Sequence, residues 1–150
     1  MAPASDRPEF TRTVEVPRGI GRPARHAIAA DAAERAALAL RFGLVALDRL
    51  EAEVRIERLR GGLVRLSAAL AADVVQSCVV SLDPVASHVA EAFVLLYGSG
   101  ETGREVVLDG AAETVEPLDG DRIDIGEAVA QQLSLALDPF PRAAGASLDL

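Results

Sequence analysis

The chain has 150 residues, no lysine, no tryptophan and a formal net charge of −8. Half of its residues are apolar but only 3% are aromatic, so a core has to be built from Ala, Val and Leu. The length fits one domain, the single cysteine excludes an internal disulfide framework, and no apolar run approaches the roughly 18 residues that span a bilayer.

The first eight residues, Met1 to Pro8, are expected to be disordered, and they lack the apolar stretch of a leader peptide. With the lone cysteine, this reads as a cytoplasmic chain. Phe10 to Val16 is rich in β-branched residues and predicts a first strand. The Pro- and Gly-punctuated stretch 17–23 predicts a loop, and His26 to Ala30 a short strand. Asp31-Ala-Ala-Glu34 has the spacing of a capping box and opens a helix over about 32–42, with Gly43 suited to its left-handed close.

Ala52, Val54 and Ile56 alternate with Glu51, Glu53, Arg55 and Glu57, the pattern of a strand with one solvated face. Arg60-Gly-Gly62 turns the chain. From Val64 the apolar residues recur at even positions through Val74, predicting a strand of about fifteen residues that bends at a bulge. Ser81-Leu-Asp-Pro84 turns the chain again. Val85, Val89, Phe93, Leu95 and Tyr97 then line one face of a third long strand. The fold class is therefore α+β: an antiparallel meander of three to five strands within a single domain, 9–141.

Residues 98–122 are acidic and Gly-rich and are expected to form a mobile loop with at most a short edge strand at Val106-Val-Leu108. Asp124-Ile-Gly-Glu127 repeats the capping-box spacing and predicts a second helix over about 125–137, stopped by Asp138-Pro139. The end, 142–150, is expected to be a flexible tail.

Charge divides the chain. Residues 1–60 carry 11 Arg against 9 acidic residues (+2), and residues 61–150 carry 4 against 14 (−10). An acidic half is suited to a basic protein partner. The N-terminal arginines Arg12, Arg18, Arg22 and Arg25 are the candidate contacts to nucleic-acid phosphates.

Motifs of catalysis are weak. Gly19-Ile-Gly-Arg-Pro-Ala24 formally matches a dinucleotide fingerprint. However, Pro23 interrupts it and the helix begins only after Asp31, so a phosphate has no helix N-terminus to sit on. His26 and His88 have no partner at metal-ligand spacing. Cys78 has no local base to activate it and reads as a small buried hydrophobe. No catalytic residue, cofactor, metal or small-molecule substrate is assigned.

The order of these segments carries a resemblance. The capped helix from Asp31 is followed by the alternating strand through Leu50-Glu-Ala-Glu-Val54 and by Val74-Val-Gln-Ser-Cys-Val-Val-Ser-Leu-Asp-Pro-Val85. After the acidic spacer comes Ile123-Asp-Ile-Gly-Glu-Ala-Val-Ala-Gln-Gln-Leu-Ser-Leu-Ala-Leu-Asp-Pro-Phe-Pro141. Over residues 9–145 this resembles the YceD family, the large ribosomal RNA subunit accumulation proteins, in the form found in alphaproteobacteria. The resemblance implies a non-enzymatic role in accumulation of large-subunit ribosomal RNA, with a ribosomal protein or ribosomal RNA as partner. The family's gene commonly lies beside that of a large-subunit ribosomal protein.

The resemblance also marks the hairpin residues Cys78, Ser81, Asp83 and Pro84 and the C-terminal motif residues Asp124, Glu127, Leu135, Asp138 and Pro139. Many members carry Cys-x-x-Cys at the hairpin and another Cys after the last helix. Here the second position is Ser81 and the late cysteine is missing, so a thiolate metal site is not expected. Asp83 and Pro84 are expected to hold the turn. Two other readings remain beside assembly: an adaptor module unrelated to ribosomes, and a processing enzyme using Asp109, Glu113, Glu116, Asp119 and Asp121 on Mg²⁺.

Overall fold

The computed structural model describes residues 9–98, 105–108, 111–118 and 120–142. The expected disordered start, 1–8, and residues 143–150 of the expected tail lie outside the described residues. Among the described residues, eight strands and two α-helices follow in the order β1 (Thr13–Glu15), β2 (Ala24–Ala29), α1 (Ala32–Phe42), β3 (Ala46–Arg58), β4 (Leu63–Ser77) and β5 (Pro84–Gly98). Then come β6 (Glu105–Leu108), β7 (Ala111–Pro117), β8 (Arg122–Asp124) and α2 (Ile125–Ala136). The architecture is α+β, with a six-stranded sheet in the order β2-β3-β4-β5-β7-β6 and a separate two-stranded pair, β1-β8.

Alternation in the sequence becomes a two-faced sheet. The even residues of β4, from Val64 to Val74, are all buried, as are Leu50, Ala52, Val54 and Ile56 of β3. Register brings the two sets together, Ala52 opposite Leu70 and Ile56 opposite Leu66. The buried residues of both helices join the same cluster, so α1 and α2 cover one face of the sheet. The opposite face, with Ala69 and Ala92 exposed, carries no helix.

α1 is specified at both ends. Asp31 accepts from the Glu34 N–H at 2.8 Å while Glu34 accepts from the Asp31 N–H at 2.9 Å. Gly43 closes the helix at φ 67°, a conformation that costs a side-chain-bearing residue roughly 1 kcal/mol or more.

Three expectations are corrected. First, the bend expected in long β4 is carried by its partner β3, where the register slips between Leu47 and Arg49. Second, the N-terminal strand does not join the meander. Only Thr13–Glu15 is extended, and it pairs with β8, Val14 opposite Ile123. The meander itself, β2-β3-β4-β5, has four consecutive antiparallel strands, within the three to five expected. Third, the segment expected as an acidic loop at 98–122 contains strands. The anticipated edge strand is β6, and β7 lies between it and β5, antiparallel to β6 and parallel to β5. The reason is a two-residue period that the acidic composition conceals: Thr114 and Glu116 are exposed while Val115 is buried opposite Leu96.

Candidate functional site: an acidic cleft beside the second helix

β1 and β8 are short because they serve as a bracket. The Arg12 N–H donates to the Asp124 carboxylate at 2.8 Å and the Ile125 N–H to the Arg12 carbonyl at 2.9 Å, which fastens the N-terminal segment to the start of α2. The Val16 N–H donates to the Asp121 carbonyl at 2.7 Å, and the Leu118 N–H to the Gly98 carbonyl at 3.0 Å. The bracket stands off the ends of β5 and β7, and a cleft of about 840 Å³ opens between them. Its walls are Thr13 and Glu15 of β1, Leu95 and Tyr97 of β5, Glu116 and Pro117 of β7, Gly120 to Asp124, and Glu127, Ala128, Gln131 and Gln132 of α2.

Five carboxylates and one cation, Arg122, line this cleft. Two of the five are committed to the scaffold. Asp124 accepts from the Thr11 hydroxyl (2.6 Å), the Arg12 N–H and the Glu127 N–H (3.1 Å). Glu127 takes both arms of Arg41, at 2.7 and 3.2 Å. That leaves Glu15 and Glu116, which form no ion pair among the described residues, and Asp121, 79% exposed and 3.4 Å from Arg58. Chemically the cleft is acidic on balance, with the Gln131 and Gln132 amides as neutral neighbours.

Tyr97 forms the inner wall. Burial first, and the negative charges of Glu116 and Asp124 after it, push its phenol up to about 12 from 10. It is the only tyrosine in a chain without tryptophan, so its ultraviolet signal reports the cleft alone. Below pH 10 this group leaves stability unchanged. Between pH 10 and about 12 the unfolded chain releases the proton while the folded chain retains it, so stability falls across that window. The loss is on the order of 2 kcal/mol. A spectrophotometric titration is expected to show a single transition well above pH 10; a midpoint at the free-tyrosine value would contradict the buried wall.

The hairpin residues lie at the far end of the sheet. Cys78 is fully buried. Its sulfur accepts from the Val80 and Ser81 N–H groups, both at 3.4 Å. The Cys78 N–H donates to the Asp83 carbonyl at 2.7 Å, and the Ser81 hydroxyl accepts from the Asp83 N–H at 3.3 Å. The turn is therefore held by Cys78, Ser81 and the backbone of Asp83. The Asp83 carboxylate, expected to hold it, accepts no hydrogen bond among the described residues, and Pro84 opens β5 as the first residue of the strand. Leu82 adopts φ 65° at the tip, its side chain exposed.

The C-terminal motif divides. Asp124 and Glu127 stand at the cleft, but the Asp124 capping box is half-formed because Glu127 turns to Arg41 rather than back to its cap. Leu135 is exposed. Asp138 and Pro139 end α2 beside the hairpin, where the Gln76 amide donates to the Asp138 carbonyl (2.9 Å) and the Val79 N–H to the Pro141 carbonyl (2.9 Å). The hairpin and the end of α2 thus meet, at the place where the resemblance implies gathered thiols. One thiol and a serine hydroxyl do not make a tetrahedral thiolate set, and no three Cys, His, Asp or Glu side chains gather as metal ligands among the described residues. Of the residues proposed for Mg²⁺, Asp109 and Asp119 lie outside the described residues; Glu116 and Asp121 are in the cleft and Glu113 is on β7.

The arginine set also divides. Arg12 is held by Glu34 at 2.6 and 2.8 Å and by the Thr11 and Ala29 carbonyls, so it is a structural clasp. Arg18, Arg22 and Arg25 are exposed. His88 contacts Asp73 at 2.8 Å, and the His26 Nε2 atom is buried without a hydrogen-bond partner among the described residues. Glu15, Tyr97, Gln131 and Gln132 were not singled out in the sequence. The uniqueness of Tyr97 was its one local signal.

The family of large ribosomal RNA subunit accumulation protein YceD matches residues 66–149, which includes most of β4, β5, the hairpin, most of the cleft and α2. No curated protein and no solved structure matches the chain significantly. No helix among the described residues is long and apolar enough to cross a membrane.

Proposed function

Since this chain belongs to the YceD family of large ribosomal RNA subunit accumulation proteins, we propose that it supports assembly of the large ribosomal subunit by holding a cationic segment of a ribosomal protein in the acidic cleft. The observation that carries this reading is the set of carboxylates facing one concave volume beside Tyr97: Glu15 and Glu116, without an ion pair among the described residues, and Asp121, largely exposed and held only by a long 3.4 Å contact to Arg58. Ribosomal proteins bind RNA through basic segments, and such a segment needs a temporary anionic partner before RNA is available. A cleft with dispersed carboxylates and amide neighbours gives loose, exchangeable binding, because exposed ion pairs contribute only about 0.2–1 kcal/mol each. The reading is of a binding role, without a catalytic step, in the cytoplasm.

An arginine-rich peptide titrated against the protein tests it, with Tyr97 emission as the readout. Binding is expected to weaken with salt, and Glu15→Gln/Glu116→Gln/Asp121→Asn to reduce affinity roughly tenfold. Unchanged affinity in the triple variant would remove the cleft from the reading. In cells, the protein is expected to co-sediment with large-subunit precursors when assembly is stalled; its consistent absence from them would favour an adaptor unrelated to ribosomes.

A further inference from the structure

We propose that a second surface, the arginine corner formed by Arg18, Arg22, Arg25, Arg55 and Arg60, binds the phosphate backbone of single-stranded RNA. The corner is assembled by contacts that sequence spacing does not reveal. The Arg58 Nε donates to the Pro17 carbonyl at 2.9 Å and Ile20 bridges Arg58 in parallel, which lays the 17–23 loop along the end of β3. That places Arg18 and Arg22 beside the turn carrying Arg60. Register sets Arg25 of β2 directly opposite Arg55 of β3 on the uncovered face of the sheet.

All five side chains are exposed. Arg18, Arg22, Arg25 and Arg60 make no ion pair among the described residues. Arg55 reaches Glu57 only at 3.9 Å, and Glu57 is bound at 2.8 Å by Arg65. Glu53, on the next rung of the same face, lines one groove with Arg25 and Arg55, so the corner is a partly neutralised surface on which arginines outnumber carboxylates, in a chain of net charge −8.

The Arg25–Arg55 rung is the informative feature. Adjacent strands lie about 4.8 Å apart, and like charges directly opposite one another destabilise a sheet. An anion placed between the two guanidinium groups turns that repulsion into a bidentate site, and the planar fork of arginine matches phosphate oxygens. The exposed side chains of the corner are arginines, which contact phosphates without reading sequence. It is distinct from the cleft, although the two surfaces meet where Arg58 contacts Asp121. A cationic segment and an RNA strand can therefore be held side by side.

A fluorescent uridine oligonucleotide of about twenty nucleotides, titrated against the full chain across a salt series, tests this. Each phosphate contact is expected to contribute about −0.7 to the slope of log affinity against log salt. Arg25→Ala/Arg55→Ala is expected to flatten the slope by about 1.4 and weaken low-salt binding by roughly tenfold or more. The same variant keeps the unfolding midpoint at or above that of the parent, because it removes a repulsion. Arg49→Ala, whose guanidinium is paired with Glu51 at 2.7 Å, leaves RNA binding unchanged. Glu15→Gln/Glu116→Gln also retains RNA binding, so this inference and the cleft reading fail separately. No RNA binding at low salt, an unchanged slope in the double variant, or poly-glutamate binding as tight as RNA would overturn the proposal, the last in favour of an acidic protein.

Discussion

Gly126→Ala is expected to lower the thermal midpoint by about 5–10 °C, even though alanine is the better helix former by roughly 1 kcal/mol. Gly126 is the second residue of α2 and buried. A Cβ built on it lies 2.6 Å from the Phe10 carbonyl oxygen, 2.9 Å from the Arg12 nitrogen and 3.1 Å from the Phe10 carbonyl carbon. All three are backbone atoms, which cannot rotate aside as a side chain can. The N-terminal segment must retreat or the helix must shift. Either movement disturbs Phe10, which is fully buried, and lengthens the Arg12 to Asp124 hydrogen bond.

Overpacking of this kind costs typically 1–3 kcal/mol, sometimes more, and here it acts together with loss of a docked segment. The net is about 2–3 kcal/mol of destabilisation after the propensity gain. Denaturant unfolding with an unchanged slope and a lower midpoint checks it. A midpoint raised by alanine would show that helix propensity wins and that the close approach at Phe10 is not constraining.

That close approach illustrates what the sequence could and could not disclose. α1 was legible to the residue because a capping box and a glycine stop are local devices. β3 and β4 were legible as strands, though β3 begins earlier than the alternation over 51–57 indicated, because their period-two pattern runs long enough to exclude a helix. The C-terminal helix was legible from the capping-box spacing at Asp124 and the Asp138-Pro139 stop. β7 was not: three alternating residues, Thr114-Val-Glu116, are too few to stand out against the carboxylates and glycines around them. The pairing of β1 with β8 was invisible for another reason. Thr13 and Asp124 are separated by most of the chain, and nothing in either short segment names its partner.

The cleft inherits that difficulty. Its carboxylates were legible as an acidic half of the chain, but their convergence with Glu15 and Tyr97 depends on the bracket. The same holds for the arginine corner. Arg18, Arg22 and Arg25 stood out as a basic cluster in one segment. Arg55 and Arg60 enter only through sheet register, and Arg12 leaves only because Glu34 is positioned to claim it. In both surfaces residue chemistry was readable and residue company was not.

Asp124→Ala is expected to be the most damaging single exchange of a polar residue, with a loss of about 3 kcal/mol. The carboxylate does three things at once. It caps α2 through the Glu127 N–H, it fastens β1 through the Arg12 N–H, and it accepts from the Thr11 hydroxyl. A lost N-cap costs about 1 kcal/mol, and hydrogen bonds to a charged acceptor contribute roughly 1.5 kcal/mol or more each. Thr11 is exposed, which reduces its share. Asp124→Asn separates the parts. Asparagine is as good an N-cap as aspartate, and its one acceptor oxygen can still take the Arg12 and Glu127 N–H groups, which share Oδ1. It loses the charge and the Thr11 bond to Oδ2, so it should retain about half or more of the stability lost in the alanine variant.

Tyr97 supplies a second readout that a simple loss of stability would not move. The Asp124 charge helps hold the phenol protonated. In Asp124→Asn that repulsion is gone while the fold remains, so the Tyr97 titration should shift down toward 10, with the arms of Glu116 and burial still holding it above the free value. A variant that loses stability but leaves the Tyr97 transition in place would place Asp124 outside the electrostatic wall of the cleft. A variant that shifts the transition at little cost in stability would mean that the bracket does not depend on this carboxylate. The double effect is what the geometry requires, because the residue that fastens the N-terminal segment to α2 also faces the only tyrosine across the cleft.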